Sequence, residues 1–311
     1  MAPSARSYLF VPGDRPERFD KACAVGADAV IVDLEDAVAP AHKVAARAAL
    51  SAWLHPDRPV LVRINAADTA WFREDCELAG RPGVAGIVLP KAERLDHVEA
   101  LRAAGAASVL PLIETAIGFD QARALAAAPG VERLAFGSID FQLDLGIGGE
   151  DDALLAFRSG LVLASRLAGV AAPVDGVCTA IDDPSQLAAE AARARRLGFG
   201  GKLCIHPRQV QGVNAAFRPS EAEVRWATRV LEATAGAAGA AVAVDGKMID
   251  RPVLLRAEAI LREAGRPRLG IRARSRRQCV PFRNTRPQAS RAPKRRVTRI
   301  RAPRRARGSS R

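Results

Sequence analysis

Acidic side chains in this 311-residue sequence gather at the ends of short apolar runs. Asp33, Glu35 and Asp36 close AVIVDLED, Glu114 closes VLPLIE, Asp140 closes LAFGSID, and Asp175 follows Val174. Basic groups occupy similar places: Arg63 in VLVRIN, Lys91 beside Glu93 in GIVLPKAE, and His206 in GGKLCIHP. Glu114 and Asp140 are the pair best suited to a metal ion. They stand on successive runs, and Mg2+ takes hard oxygen donors, one or two protein carboxylates plus water and substrate oxygens. No His-rich or Cys-rich cluster competes for a softer metal. Pairing of either carboxylate with Arg63 or Lys91 is the structural alternative. Arg63, alone in an apolar run, suits bidentate capture of a substrate carboxylate. It equally suits a buried salt bridge to Glu35 or Asp36, and the two roles are compatible. Asp33, Glu35 and Asp36 fit substrate binding by orienting Arg63 and metal-bound water. His206, followed by Pro207, reads as a strand-ending residue with local hydrogen bonds, and Asp144 as a helix cap or water contact.

These side chains need a scaffold that brings many strand ends to one place. Eight β-rich runs are present: Ser7–Val11, Ala29–Asp33, Val60–Ile64, Gly86–Leu89, Val109–Ile113, Leu134–Phe136, Val174–Val177 and Lys202–Ile205. Most are continuously apolar, as in parallel strands covered on both faces. Helical patterns alternate with them: Pro16–Val25, Lys43–Trp53, Trp71–Ala79, Leu95–Ala103, Ile117–Ala127, Leu154–Ala168, Pro184–Leu197 and Pro207–Ala216. Eight β–α units predict an α/β fold, a (β/α)8 TIM barrel over 1–218, whose C-terminal mouth would collect the residues above. The glycine-rich phosphate loops of a doubly wound sheet are missing. Beyond the barrel, helix Ser220–Thr234, a Gly/Ala linker, Val242–Asp250 and helix Pro252–Ala264 predict a C-terminal helical lid extension over 219–265.

Nine stretches carry a family resemblance, in order: RSYLFVPGDRPERFDKA, GADAVIVDLEDAVAPAHKVAAR, VLVRIN, GIVLPKAE, PLIET, LAFGSIDFQLDLG, DGV, GFGGKLCIHPRQV and DGKMIDRPVL. They resemble the citrate lyase β-subunit-like (CitE-like) CoA ester lyases of the HpcH/HpaI aldolase/citrate lyase superfamily. The resemblance implies a Mg2+-dependent carbon–carbon lyase acting on a 3-hydroxyacyl-CoA of the citryl-, malyl- or citramalyl-CoA type. It would release acetyl-CoA, or an analogue, and a 2-oxo acid. Glu114 and Asp140 would hold the metal and Arg63 the keto-acid carboxylate. Asp250, in the MID motif, would be the lid acid/base, often contributed by a neighbouring subunit. Lys21 would lie near the CoA phosphates. A homo-oligomer is implied, with a trimer favoured. A thioesterase on the same acyl-CoA class is the alternative. The aldolase branch carries a His just after Asp-x-Glu, where this sequence has Asp36, which speaks against a pyruvate-dependent class II aldolase.

The net charge of +13 misrepresents the body of the protein. Eighteen of the 47 Lys+Arg lie in 266–311, which has no Asp or Glu, so residues 1–265 carry 29 basic and 34 acidic groups, a net of −5. That Arg-rich tail is expected to be disordered and idle in catalysis. A barrel with a nucleic-acid-binding tail is the competing reading, with steep salt dependence as its signature. Five scattered cysteines without a Cys-x-x-Cys pair suit a reducing, cytoplasmic setting. No stretch reads as a membrane span.

Overall fold

The computed structural model describes residues 5–149, 152–236 and 242–265. Strands β1 (Ser7–Pro12), β2 (Ala29–Asp33), β3 (Val60–Arg63), β4 (Val84–Leu89), β5 (Val109–Ile113), β6 (Ala135–Phe136), β7 (Val174–Asp175) and β8 (Gly201–Cys204) pair in parallel, each with the next. Pairing of β8 with β1 closes the barrel. The expected (β/α)8 barrel is therefore the fold.

The period of two along each strand sorts the side chains into two buried layers. Tyr8, Ile31, Val88, Leu110, Leu112, Ala135, Val174 and Leu203 fill the barrel interior as one cluster. Leu9, Val30, Val32, Val62, Ile87 and Leu89 point outward, into a larger cluster shared with helix residues such as Leu50, Leu101 and Leu161. Burial on both faces is why the runs lack polar alternation, and each fully buried Leu, Ile or Val contributes about 1.5–3 kcal/mol. At the N-terminal end Arg133 seals the barrel. Its Nη1 donates to the Ala5 carbonyl at 2.6 Å and to the Tyr8 hydroxyl at 2.9 Å.

Helices Lys43–Trp53, Leu95–Ala103, Pro184–Leu197 and Pro207–Ala216 coincide with the sequence expectation. Pro184–Leu197 shows why. The Asp183 carboxylate accepts from the Ser185 and Gln186 amides, and Gly198 ends the helix with φ 102°. One helix was not expected: Ser138–Leu145, which follows β6 directly and stops at left-handed Gly146.

Asp175 corrects the sequence reading. It ends β7 but faces outward, fully buried, because Val174 takes the inward position. Its Oδ1 accepts from Arg158 Nε at 2.8 Å, and Lys202 Nζ sits 3.5 Å from Oδ2 and 3.1 Å from Glu190. This charge cluster braces strands against helices and is not part of the mouth.

Past the barrel, helix Glu221–Gly236 packs on helix Arg251–Glu263 around Val224, Ala227, Val230, Leu231, Ala257, Ile260 and Leu261. The antiparallel hairpin β9 (Val242–Val244) and β10 (Lys247–Ile249) precedes the second helix. The extension thus has a core of its own. The tail 266–311, expected to be disordered, lies outside the described residues. Among the described residues no helix is long and apolar enough to cross a membrane.

Candidate active site

The strand ends enclose a cavity of about 370 Å³, lined by Asp33, Asp36, Arg63, Glu114 and Asp140 over a floor of Phe10, Leu112, Phe136, Val177, Leu203 and Ile205. Five of the predicted residues therefore meet at one opening. Glu35 stands beside them without lining the cavity.

Arg63 is the hub of the acidic wall. Register pairs it with Asp33 on the neighbouring strand. Its Nε and Nη2 donate to Asp33 at 2.7 and 2.6 Å, and its Nη1 lies 2.9 Å from Glu35 and 3.2 Å from Asp36. The guanidinium also stacks 4.8 Å from the Phe10 ring centroid. Both expected roles of Arg63 are open in this geometry: it is salt-bridged, and it still faces the cavity. Burial works against its charge, but Asp33, Glu35 and Asp36 outweigh burial and hold its pKa above the usual range. Asp33 also accepts the amides of Glu35 and Ala37, which bends the chain into the turn that presents Asp36. Lys43, from the first turn of the next helix, donates to the Leu34 and Glu35 carbonyls, both at 2.9 Å. Sequence reading missed Lys43. Its signal was faint: a lysine buried in the first turn of a helix, against the dipole.

Glu114 is 2 % exposed. Its Oε1 accepts the Lys91 amide at 2.7 Å, and Lys91 adopts φ 44° to deliver it. Burial is the main reason its pKa is pushed up to about 7; the Lys91 amide opposes this and Asp140 adds to it. Glu35 is pushed up to about 8, by burial first, with Arg63 opposing and Glu114 adding to the rise. Gly137 makes room for Glu114, since a Cβ there would come within 2.6 Å of its Cβ and Oε2. Five carboxylates around one guanidinium make this mouth a place that favours added positive charge.

Asp140 sits in the first turn of helix Ser138–Leu145, directly after β6. That helix opens at the cavity wall with no side-chain cap on its N-terminus. Ser138 also lines the cavity and was missed; its buried Oγ has no hydrogen-bond partner. Asp144 accepts the Ala116 amide at 2.7 Å and so caps the start of the earlier helix Ala116–Asp120. His206 forms a capping box with Gln209 at the start of helix Pro207–Ala216, the local role expected of it. Lys21 is exposed on helix Phe19–Ala24 and does not line the cavity. Asp250 does not line it either. It is exposed, and its Oδ1 caps helix Arg251–Glu263 by accepting the Val253 amide at 3.0 Å. Among the described residues no three His, Cys, Asp or Glu groups form a metal cage. Glu114 and Asp140 offer two, which fits an ion that keeps most of its water.

Residues 6–207 match the HpcH/HpaI aldolase/citrate lyase family. A citrate lyase subunit beta-like protein of Mycobacterium tuberculosis is 42 % identical over 266 residues, covering 83 % of this chain and 95 % of the relative. A (3S)-malyl-CoA thioesterase of Cereibacter sphaeroides is 39 % identical over 276 residues, covering 82 % and 95 %. Among solved structures, the M. tuberculosis CitE protein in complex with magnesium, acetoacetate and coenzyme A is similar at a TM-score of 0.76 and 41 % identity, over 84 % of this chain and 98 % of that one. By the span and degree of these matches, the chain belongs to the HpcH/HpaI aldolase/citrate lyase family.

Proposed function

We propose that the protein is a Mg2+-dependent lyase that cleaves, or forms, the C2–C3 bond of a 3-hydroxyacyl-CoA. The observation that carries this reading is the Glu114–Asp140 pair, two carboxylates on one cavity, one of them buried and pushed to about 7 by burial and by the other. Such a pair fits a hard divalent cation: both groups are oxygen donors, and a cation would relieve their mutual repulsion. CoA and magnesium accompany the similar M. tuberculosis protein, which supports the same ligands here. When bound, the ion would lower the substrate hydroxyl pKa and stabilise the carbonyl that develops from it.

The chain's own groups account for the rest. Arg63, backed by Asp33, holds the keto-acid carboxylate from one side. The uncapped N-terminus of helix Ser138–Leu145 favours negative charge from the other. Asp33, Glu35 and Asp36 fix Arg63 and orient water. In cleavage, the C3 hydroxyl gives up its proton to a mouth carboxylate. The C2–C3 electron pair passes to the thioester as an enolate, and Asp250 delivers a proton to C2, leaving acetyl-CoA and a 2-oxo acid. Asp250 comes from a neighbouring subunit in a homo-oligomer, a trimer in this reading. Support for that lies in its exposed position next to Met248, 70 % exposed, and Leu255, 52 % exposed, on an extension with its own core. Lys21 contributes charge near the CoA phosphates.

The test is a panel of 3-hydroxyacyl-CoA thioesters with and without Mg2+, with 2-oxo acid and free CoA both measured. Magnesium-dependent 2-oxo acid is expected. Mixing Arg63→Ala with Asp250→Asn protein should restore turnover that neither has alone. The thioesterase relative at 39 % identity favours a second reading, hydrolysis of the thioester, and free CoA without 2-oxo acid would select it.

A further inference from the structure

The cavity is sharply divided by polarity. Its acidic and cationic groups lie along one wall, on β2, β3, β5 and the helix after β6. The remaining wall and floor are Phe10, Val177, Leu203 and Ile205, with Leu112 and Phe136 beneath. Among the lining residues Arg63 is the one cation, and Asp33, Glu35 and Asp36 already engage it. A substrate therefore finds one place for a carboxylate, between Arg63, the uncapped helix N-terminus and the Glu114–Asp140 pair. Its other C3 substituent must point at hydrocarbon.

The geometry points to a substrate whose keto-acid half carries a single carboxylate and a small apolar group on C3. The 2-oxo acid released is then a monocarboxylate of the pyruvate type, not a dicarboxylate such as oxaloacetate. This deepens the lyase reading and rests on it. A second carboxylate laid against Leu203 and Ile205 would lose its water and meet no cation, with the Ser138 hydroxyl beside Gly176 the one neutral side-chain donor near that wall, and a buried charge without a counter-charge is strongly disfavoured. The mouth adds repulsion, because Asp33, Asp36, Glu114 and Asp140 all face the same space. A methyl group fills the same volume with favourable contact. A carbon at an apolar wall changes discrimination by roughly 10–200-fold. A hydrogen in place of the methyl is accepted but leaves the wall unfilled.

Three thioesters that differ only in the C3 substituent test this: citramalyl-CoA (methyl), malyl-CoA (hydrogen) and citryl-CoA (carboxymethyl), each with the full-length protein and Mg2+. The expected order of kcat/KM is citramalyl, then malyl, then citryl, with citryl-CoA at least about 100-fold below citramalyl-CoA. The rim variant Ile205→Arg, at a position 40 % exposed, should narrow the citryl gap at least about tenfold. Comparable kcat/KM for citryl- and citramalyl-CoA, or a gap unmoved by the added guanidinium, would overturn the inference. Should none of the three be cleaved, the lyase reading fails. Calorimetric binding of pyruvate and oxaloacetate in Mg2+ then decides the inference alone: tighter pyruvate supports it, and tighter oxaloacetate overturns it.

Discussion

Replacing Glu114 by Gln should make the metal-free protein more stable at alkaline pH while removing its response to magnesium. A carboxyl displaced from 4.5 to about 7 on folding makes the ionised folded state less stable by roughly 3 kcal/mol. Because the folded pKa is the higher one, this stability is fully present below pH 4.5. It is lost as pH rises towards 7 and flat beyond it. Glu35, pushed up to about 8, contributes a loss of the same sign and extends the window upward. For a protein of this size, ~3 kcal/mol corresponds to a fall in Tm on the order of 5–10 °C. Thermal unfolding in EDTA at pH 5 and pH 8 should show that fall in the parent, and a clearly smaller one in Glu114→Gln. Added Mg2+ at about 100 times its Kd should return about 2.7 kcal/mol to the parent at pH 8 and little at pH 5, where protons compete for the carboxylates. The variant should respond weakly at both. A parent Tm independent of pH in EDTA, or a magnesium shift as large in the variant as in the parent, would refute the claim that burial and Asp140 strain this group.

Gly137→Ala should weaken Mg2+ binding at least about tenfold by titration calorimetry, because the new methyl meets the Glu114 carboxylate. Lys43→Met leaves two buried carbonyls without their donor, so a loss of roughly 2–4 kcal/mol in urea unfolding is expected, with kcat/KM reduced and Lys43→Arg restoring part of both. Lys202→Met should cost about 3–5 kcal/mol by the same measurement, because it strands Glu190, yet leave magnesium affinity unchanged. A chain ending at Gly265 should keep the full kcat of the 311-residue protein in the thioester assay, since the cavity and the family match lie within the part retained.

The barrel was legible because strands covered on both faces must be apolar throughout, and eight such runs between helical patterns have few other solutions. The acidic mouth was legible because a charged residue ending such a run has one direction to face. That logic fails where a strand is short. β7 has two residues, and the inward place belongs to Val174, so Asp175 turns to Arg158 and Lys202. Counting parity from Val174 would have placed it correctly. Helix Ser138–Leu145 was hidden because Gly-Ser-Ile-Asp reads as a turn, and it carries no cap residue to announce it. Lys43 was hidden for another reason: its partners are carbonyls, which every residue has and no sequence pattern marks.

Lys91 bends the chain through a left-handed conformation so that its amide, not its amine, meets Glu114. The contact therefore belongs to the path of the backbone and to no particular side chain. Glycine would adopt the bend with less strain and asparagine or aspartate with little, whereas a β-branched residue would resist it. Proline would abolish it, having no N–H to give and a φ fixed far from this bend. The ionisation of a central acid therefore rests on a main-chain group.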